Sequence, residues 1–416
     1  MKLVLVTPHY PPHFEGGTEV VVRAHARELA RRGHELQVVS GTDRPHRGAD
    51  VERADVDGIP VVHLPRRPDE CYDLELERPR LAALIREQAT GADLVHVHHW
   101  STLHRELVRD LRSRGLAVVL SLHDLFATCP RFFRHSPVAG VVCPPRGEHR
   151  ACVRCIRPES GDVPPEVVAE RLRRRSAAFE AEVRAASAVT VPSRSHGEHL
   201  APLLGLEPGR MRILPHGLCH ELGPRAPGDP AGPPAPPPLV VLHFGNRSAL
   251  KGTLDLVRAL ASLPAGAVEL VLAGAEVEQG FDRRLREAAG PLSLTFHGPY
   301  GAADLPRLAA GAHLAAFPSR VAESYGLVVD EALAAGLPVW VSDRGALPER
   351  VAPLGAAGRV LPAEDPAAWA AAFGELIERP EALAGARAAL PASVSAAADA
   401  AARLEALYVQ LLGERP

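Results

Sequence analysis

Eight of the fifteen residues from Pro224 to Pro238 are proline. Proline fixes φ and lacks an amide donor, so this tract cannot enter a helix or a sheet interior and acts as a stiff, extended spacer. It divides a chain of 416 residues, already longer than a single core fills, into two stretches. Each stretch repeats one pattern: a short unbroken apolar run, a turn, then helical spacing. Such runs read as strands buried on both faces, and their alternation with helices reads as parallel, doubly wound sheets. The expected fold class is therefore α/β, with a first domain over 1–215, a linker over 216–238, a second domain over 239–390 and a terminal helix in 391–416.

In the first stretch, residues 3–6 form a strand and Gly16-Gly17-Thr18-Glu19 opens a helix that ends near Gly33. Adjacent glycines at a helix N-terminus let a ligand approach the backbone closely. Asp55-Val56-Asp57-Gly58 has the Asp-x-Asp spacing of some metal sites, but it precedes a glycine and reads as a hairpin turn. The strands Ala92–Val97 and Leu116–Leu122 end in His98-His99-Trp100 and His123-Asp124. In open α/β sheets ligands gather beyond the carboxyl ends of strands, which places all three histidines on the ligand edge. His98 and His99 read as packed or capping residues. Pro165 to Ala186 is an arginine-dense amphipathic helix; its ordinary reading is a solvated face, its second a contact with a membrane surface.

The second stretch resumes with the strand Leu239–Gly245, a loop to Gly252 and a helix to about Leu263. Of 47 basic residues only Lys2 and Lys251 are lysine, which marks Lys251 as a position where arginine would not serve. Phe317 to Trp340 (FPSRVAESYGLVVDEALAAGLPVW) reads as a strand end, a Pro-Ser turn, a helix from about Tyr325 to Ala335 stopped by Gly336, and a new strand. Glu323 and Glu331 lie eight positions apart. Helical throughout, they would be separated by roughly 12 Å and about 80° of rotation, a reach for an extended ligand rather than a single atom. The amides of Ser324, Tyr325, Gly326 and Leu327 would be donors for phosphate oxygens at the helix start.

This phrase, from Pro318-Ser319 through both glutamates to Gly336-Leu337-Pro338, resembles the signature of the retaining, nucleotide-sugar-dependent glycosyltransferases of family 4. The resemblance implies the GT-B fold: two Rossmann-like domains facing a central cleft, with the last helix returning to the first domain and His216-Gly217 as the hinge segment. It implies that Glu331 binds the donor ribose, while Glu323 and the amides after it hold the sugar and pyrophosphate. Gly245…Lys251-Gly252 resembles the family's pyrophosphate loop; Asn246 stands where an arginine is usual, and Arg247 is the candidate substitute. The Gly16-Gly17 loop would lie near the donor phosphates and acceptor, and His123 would contact the donor sugar near the reacting carbon. The implied reaction is retaining transfer, of hexosyltransferase type, from a UDP- or GDP-sugar to a hydroxyl of a carbohydrate, lipid-linked or small-molecule acceptor. A leaving diphosphate oxygen would help deprotonate that hydroxyl, and no catalytic divalent metal is expected. The rival readings are another GT-B chemistry, such as a 2-epimerase or a phosphorylase, and a non-catalytic nucleotide-sugar-binding or scaffold protein.

A net charge of −3 gives no basic footprint for nucleic acid. The first apolar run meets Thr7-Pro8 too soon for a secretory signal, and no apolar run is long enough to span a bilayer. A cytoplasmic protein is expected, with contact at the inner membrane surface as an added reading. Four of the six cysteines fall in the loop-rich insertion 129–155. Cys129, Cys143, Cys152 and Cys155 are the expected ligands of a structural zinc, with Cys152-Val153-Arg154-Cys155 as a two-residue knuckle. Disulfides, an iron–sulfur cluster, His149 in place of one thiolate, and no metal at all are the alternatives.

Overall fold

The computed structural model describes residues 1–12, 16–42, 51–65, 74–136, 140–143, 149–160, 162–207, 209–222 and 237–414. Most of the proline tract, 223–236, and the loop residues 13–15 ahead of the glycine pair lie outside the described residues. The chain forms two compact units, Met1–Cys219 with Ala396–Pro416, and His220–Ser395.

In the first unit the strands are β1 (Lys2–Thr7), β2 (Glu35–Thr42), β3 (Glu52–Val56), β4 (Ile59–Pro65), β5 (Leu94–Val97) and β6 (Ala117–Ser121). A small hairpin, β7 (His135–Ser136) and β8 (Val141–Val142), follows, then β9 (Ala188–Val191) and β10 (Met211–Ile213). The main sheet has the order β10-β9-β6-β5-β1-β2-β4-β3. It is parallel except for β3, which pairs antiparallel with β4 through a turn at Asp57 and Gly58, both with positive φ. Asp55 Oδ1 accepts from the Gly58 amide at 2.9 Å and Asp57 pairs with Arg23, so this Asp-x-Asp is a hairpin turn, as its sequence reads.

The second unit holds β11 (Leu239–Phe244), β12 (Val268–Ala273), β13 (Ser293–Gly298), β14 (Leu314–Phe317), β15 (Val339–Ser342) and β16 (Gly358–Leu361). Their order, β13-β12-β11-β14-β15-β16, is doubly wound. Strand order therefore reverses between β1 and β5 in one unit and between β11 and β14 in the other. Beyond the carboxyl end of such a switch point neighbouring loops part, and ligands bind there.

The helix Ala397–Gly413 belongs to the first unit and packs on the helix Gly17–Arg31. Its Leu404, Leu407 and Tyr408 are buried with Leu3, Leu5, Val22 and Leu29, which gives its apolar stripe a place to go. The chain leaves and re-enters this unit at one point, where Leu218 bridges to Ala396. Gly217 has φ +72° there, and a Cβ would lie 2.5 Å from the Ala396 carbonyl oxygen, so only glycine fits.

Candidate functional site

In the second unit, the loops after β11 and β14 touch. A Cβ on Gly252 (φ +72°) would stand 1.8 Å from the Pro318 carbonyl oxygen. The Arg320 amide donates to Leu250 at 2.9 Å, and its guanidinium grips Asp255 with two bonds of 2.6 Å. On this rigid support Lys251 Nζ donates to Glu323 Oε1 at 2.7 Å, and Ser319 Oγ donates to the same oxygen at 2.9 Å. The Glu323 backbone lies against Gly345, whose missing Cβ would sit 2.3 Å from the Glu323 carbonyl oxygen. The lysine and the first glutamate of the sequence analysis are thus one ion pair.

The helix after Glu323 runs Leu327–Ala334, two residues later than its expected start. Gly326 caps it with φ +81°, a left-handed conformation that ends helical geometry in the N-terminal direction. Tyr325 is not on the helix. It is buried, its hydroxyl donates to Asp330 Oδ2 at 2.9 Å, and the Arg350 guanidinium lies 4.1 Å above its ring. Glu323 therefore precedes the helix, and the helical separation of the two glutamates does not apply. Ser324 and Tyr325 form the turn, and the amides left over by helix geometry are those of Leu327 and Val328. Glu331 is on the helix and buried, with Oε1 2.6 Å from His220 Nδ1.

Arg247 is only 3% exposed. Its guanidinium donates to both oxygens of Asp282, at 2.8 and 2.6 Å, and to the Gly274 carbonyl. The exposed side chain of the loop that begins at Gly245 (φ +111°) is Asn246. Arg247 is therefore a brace under the loop, and Lys251 is its accessible cation.

In the first unit, Gly16 and Gly17 begin the helix that follows β1. The Gly16 amide already donates to Glu19 Oε2 at 3.1 Å. From β5 outward past the ends of β5 and β6 runs a row of buried histidine rings. His96 stacks on His98 with centroids 3.9 Å apart, His98 on His123 at 5.2 Å, and His123 on His216 at 5.1 Å. His25 Nε2 meets the His216 carbonyl at 3.2 Å. Burial lowers the pKa of His123 to about 3 and that of His25 to about 4, and holds His96 and His98 well below the usual range. All four rings are neutral at pH 7. A pocket lined by His25, His123, His216, Ser121 and Thr190 opens beside the row. His99 caps its own loop, accepting from the Ser101 amide at 2.8 Å and approaching Asp124 at 3.3 Å. Burial alone would raise Asp124, but His99 beside it and the Phe126 amide hold the carboxyl below its ordinary value.

Residues 15–222 match Glycosyltransferase Family 4, half of the chain, and residues 238–379 match Glycosyl transferases group 1. The chain belongs to glycosyltransferase family 4. Among its relatives, a D-inositol 3-phosphate glycosyltransferase of Xylanimonas cellulosilytica is 29% identical, with 96% of this chain and 93% of that protein covered. A protein of the same name from Corynebacterium urealyticum is 27% identical, covering 91% and 87%. Among solved structures, a sucrose-phosphate synthase from Thermosynechococcus elongatus superposes over 100% of both chains with a TM-score of 0.70 at 20% identity. Anabaena HepE in complex with UDP and glucose superposes with a TM-score of 0.61 at 19% identity, over 100% of this chain and 98% of that one. The fold is GT-B, built of two Rossmann-like domains.

In this glycosyltransferase the cysteine insertion is more regular than its sequence reads. Cys152 and Cys155 sit one turn apart on the helix His149–Ser160, so the expected knuckle is helical; of the His149 side chain nothing is described. Cys143 follows β8, its amide donating to Arg134 at 2.7 Å, and all four thiols are free. Among the described residues no three His, Cys, Asp or Glu side chains stand in position to hold a metal ion. Behind Cys129, Arg175 is 2% exposed, with its guanidinium 4.5 Å from the rings of both Phe126 and Phe179. It bonds the Phe126 and Ala127 carbonyls. Burial lowers it to about 10, while Cys129 and Asp124 act to raise it.

On the outer face of the helix Pro165–Ala185, Glu170 pairs with both Arg173 and Arg174. That face is a solvated, internally paired surface, and no helix among the described residues is long and apolar enough to cross a membrane. Sequence reasoning did not find His220, Asp282 or Asp330. Each is a partner of a residue it did find, joined across 111, 35 and 5 positions respectively, and only Asp330 lies within the quoted phrase. It also set His98 aside.

Proposed function

We propose that this glycosyltransferase moves a hexosyl group from a nucleotide-diphosphate sugar to an acceptor hydroxyl with retention of configuration. The observation that carries the reading is the Lys251–Glu323 pair at 2.7 Å on the loops of the β11/β14 switch point, with buried Glu331 on the following helix. Glu331 would take the ribose hydroxyls, with His220 holding the carboxylate. Glu323 would accept from the sugar, and Lys251, released from Glu323, would meet the pyrophosphate. A flexible ammonium can follow negative charge as it gathers on the leaving group, and the amides of Leu327 and Val328 add fixed donors. In the first unit His123 would contact the sugar. Burial lowers its pKa to about 3, which leaves it too weak a base at pH 7 to take a hydroxyl proton, so it serves by orientation and hydrogen bonding. A leaving diphosphate oxygen as the base fits that electrostatic setting. The UDP and glucose bound by HepE support a UDP-sugar donor, and the names of the bacterial relatives support a phosphorylated polyol acceptor.

The test is a thermal-shift screen of nucleotide-diphosphate sugars. A donor at one hundred times its dissociation constant should stabilise the protein by about 2.7 kcal/mol, and Glu331→Ala should cut that at the same donor concentration to about 0.4–1.4 kcal/mol. Slow donor hydrolysis without acceptor separates an enzyme from a pure binder, which would leave the donor intact.

We also propose a structural zinc at Cys129, Cys143, Cys152 and Cys155. Four free thiols on one small insertion support it, as does Arg175, a buried cation near Cys129 with no carboxylate in salt-bridge range among the described residues. A tetrathiolate zinc is a net anion and would balance that charge. The hairpin and helix would have to draw closer to bind it. Metal analysis of protein purified without added metal should give about one zinc per chain; less than a tenth of that, with four titratable thiols, would contradict the assignment.

A further inference from the structure

His98 is 1% exposed and lies between the rings of His96 and His123. Its Nδ1 is 3.0 Å from His123 Nε2, while its own Nε2 is buried with no hydrogen-bond partner among the described residues. Both rings are neutral, so one proton lies between the two facing nitrogens, and it belongs to one ring or the other. Were it on His123, His98 would carry its N–H at Nε2, where a donor is sealed away from any acceptor. Were it on His98, the unpartnered atom would be a lone pair instead. Orphaned buried N–H groups are rare in native proteins, which favours the form that leaves no N–H orphaned.

The neighbouring bonds fix the rest of the row. His96 Nδ1 lies 2.6 Å from the Tyr408 hydroxyl, and His96 Nε2 lies 2.8 Å from Ser121 Oγ, itself 2.6 Å from Thr190 Oγ1. Both nitrogens of His96 are thus engaged, and it offers His98 only its face.

We propose that His98 is a positioning residue that donates from Nδ1 to His123 Nε2 and thereby holds His123 as its Nδ1–H tautomer. The free edge of His123 then presents a donor and not a base. This deepens the reading of His123 as a sugar-contacting group, on which it rests: a fixed N–H can bond a sugar hydroxyl oxygen or a phosphate oxygen, and cannot take the acceptor's proton. It also gives a physical reason for a histidine pair at two strand ends, since a single ring at His123 would be free to exchange tautomers.

The experiment is nitrogen-15 NMR of the full chain labelled on histidine, with His123→Gln used to assign the His123 signals. It needs no donor, so it reports on the tautomer even if the protein takes no nucleotide sugar. Wild-type protein should show His123 protonated at Nδ1 and bare at Nε2. His98→Phe keeps the stacked ring but not the bond, and should give a mixture of tautomers; His98→Asn, whose amide NH₂ reaches the Nδ1 position, should restore the single form. Turnover should fall about tenfold in His98→Phe and recover in His98→Asn, at unchanged nucleotide affinity in the second unit. His123 protonated at Nε2 in the wild type, or a single Nδ1–H form persisting in His98→Phe, would overturn the proposal. So would wild-type turnover in His98→Phe.

Discussion

Lys251 and Glu323 neutralise each other across 2.7 Å, and their side chains are 37% and 20% exposed. At that exposure the pair contributes little stability, on the order of 1 kcal/mol or less, so its value lies in what each partner does when a ligand separates them. Lys251→Arg keeps the charge but replaces a compact ammonium with a planar fork, and turnover should fall about tenfold or more. Near wild-type turnover would show that any cation suffices. Glu331→Ala should weaken nucleotide binding by about 10- to 100-fold, the usual loss for a charged hydrogen bond. Glu323→Ala should instead lower turnover more than affinity. Calorimetric titration of the nucleotide beside steady-state rates separates the two, and equal, purely kinetic losses would refute the division of roles.

At the scale of elements, the strands were legible because parallel strands covered on both faces read as apolar runs; Leu3–Val6 and Leu314–Phe317 are examples. The helix start at Leu327 was not, because Tyr325 has ordinary helical chemistry and only the positive φ of Gly326 excludes it. The helix carrying Cys152 and Cys155 was hidden by proline- and arginine-rich surroundings that mask its period. The bracing of Arg247 was not legible for another reason. Its partner Asp282 is 35 residues away, and nothing local tells a phosphate-binding arginine from a braced one. Loop-to-loop contact is likewise invisible in sequence. Gly252→Ala would force a Cβ to within 1.8 Å of the Pro318 carbonyl oxygen at a positive φ. The second unit should lose about 2 kcal/mol or more, with donor binding lost in parallel. An unchanged melting temperature would show that the two loops are not locked by this contact.

Across the whole molecule, acid should cost the first unit more than the second, where His243 is also lowered to about 4 by burial. His123, His25 and His196 of the first unit have folded pKa values lowered to about 3, 4 and 4, chiefly by burial, with His96 and His98 lower than normal beside them. In the unfolded chain the same groups take protons near pH 6.5, so below that pH the unfolded state binds more protons and stability falls. Their stabilisation is complete above about pH 6.5 and is lost as pH drops toward 4. Calorimetric scans at pH 7.5 and 5 should show the first unit melting markedly earlier at the lower pH; identical midpoints would mean that these rings are not held neutral by the fold.

Retention of configuration tests the proposed chemistry most directly. Proton NMR can follow the first sugar released when the protein hydrolyses its best-stabilising nucleotide-diphosphate sugar, before the anomers re-equilibrate. The Lys251, Glu323 and Glu331 arrangement, beside histidines whose pKa burial holds too low for them to act as bases, predicts that the released sugar keeps the anomeric configuration of the donor and that Glu323→Ala sharply slows its release. A first-formed product of inverted configuration would contradict it.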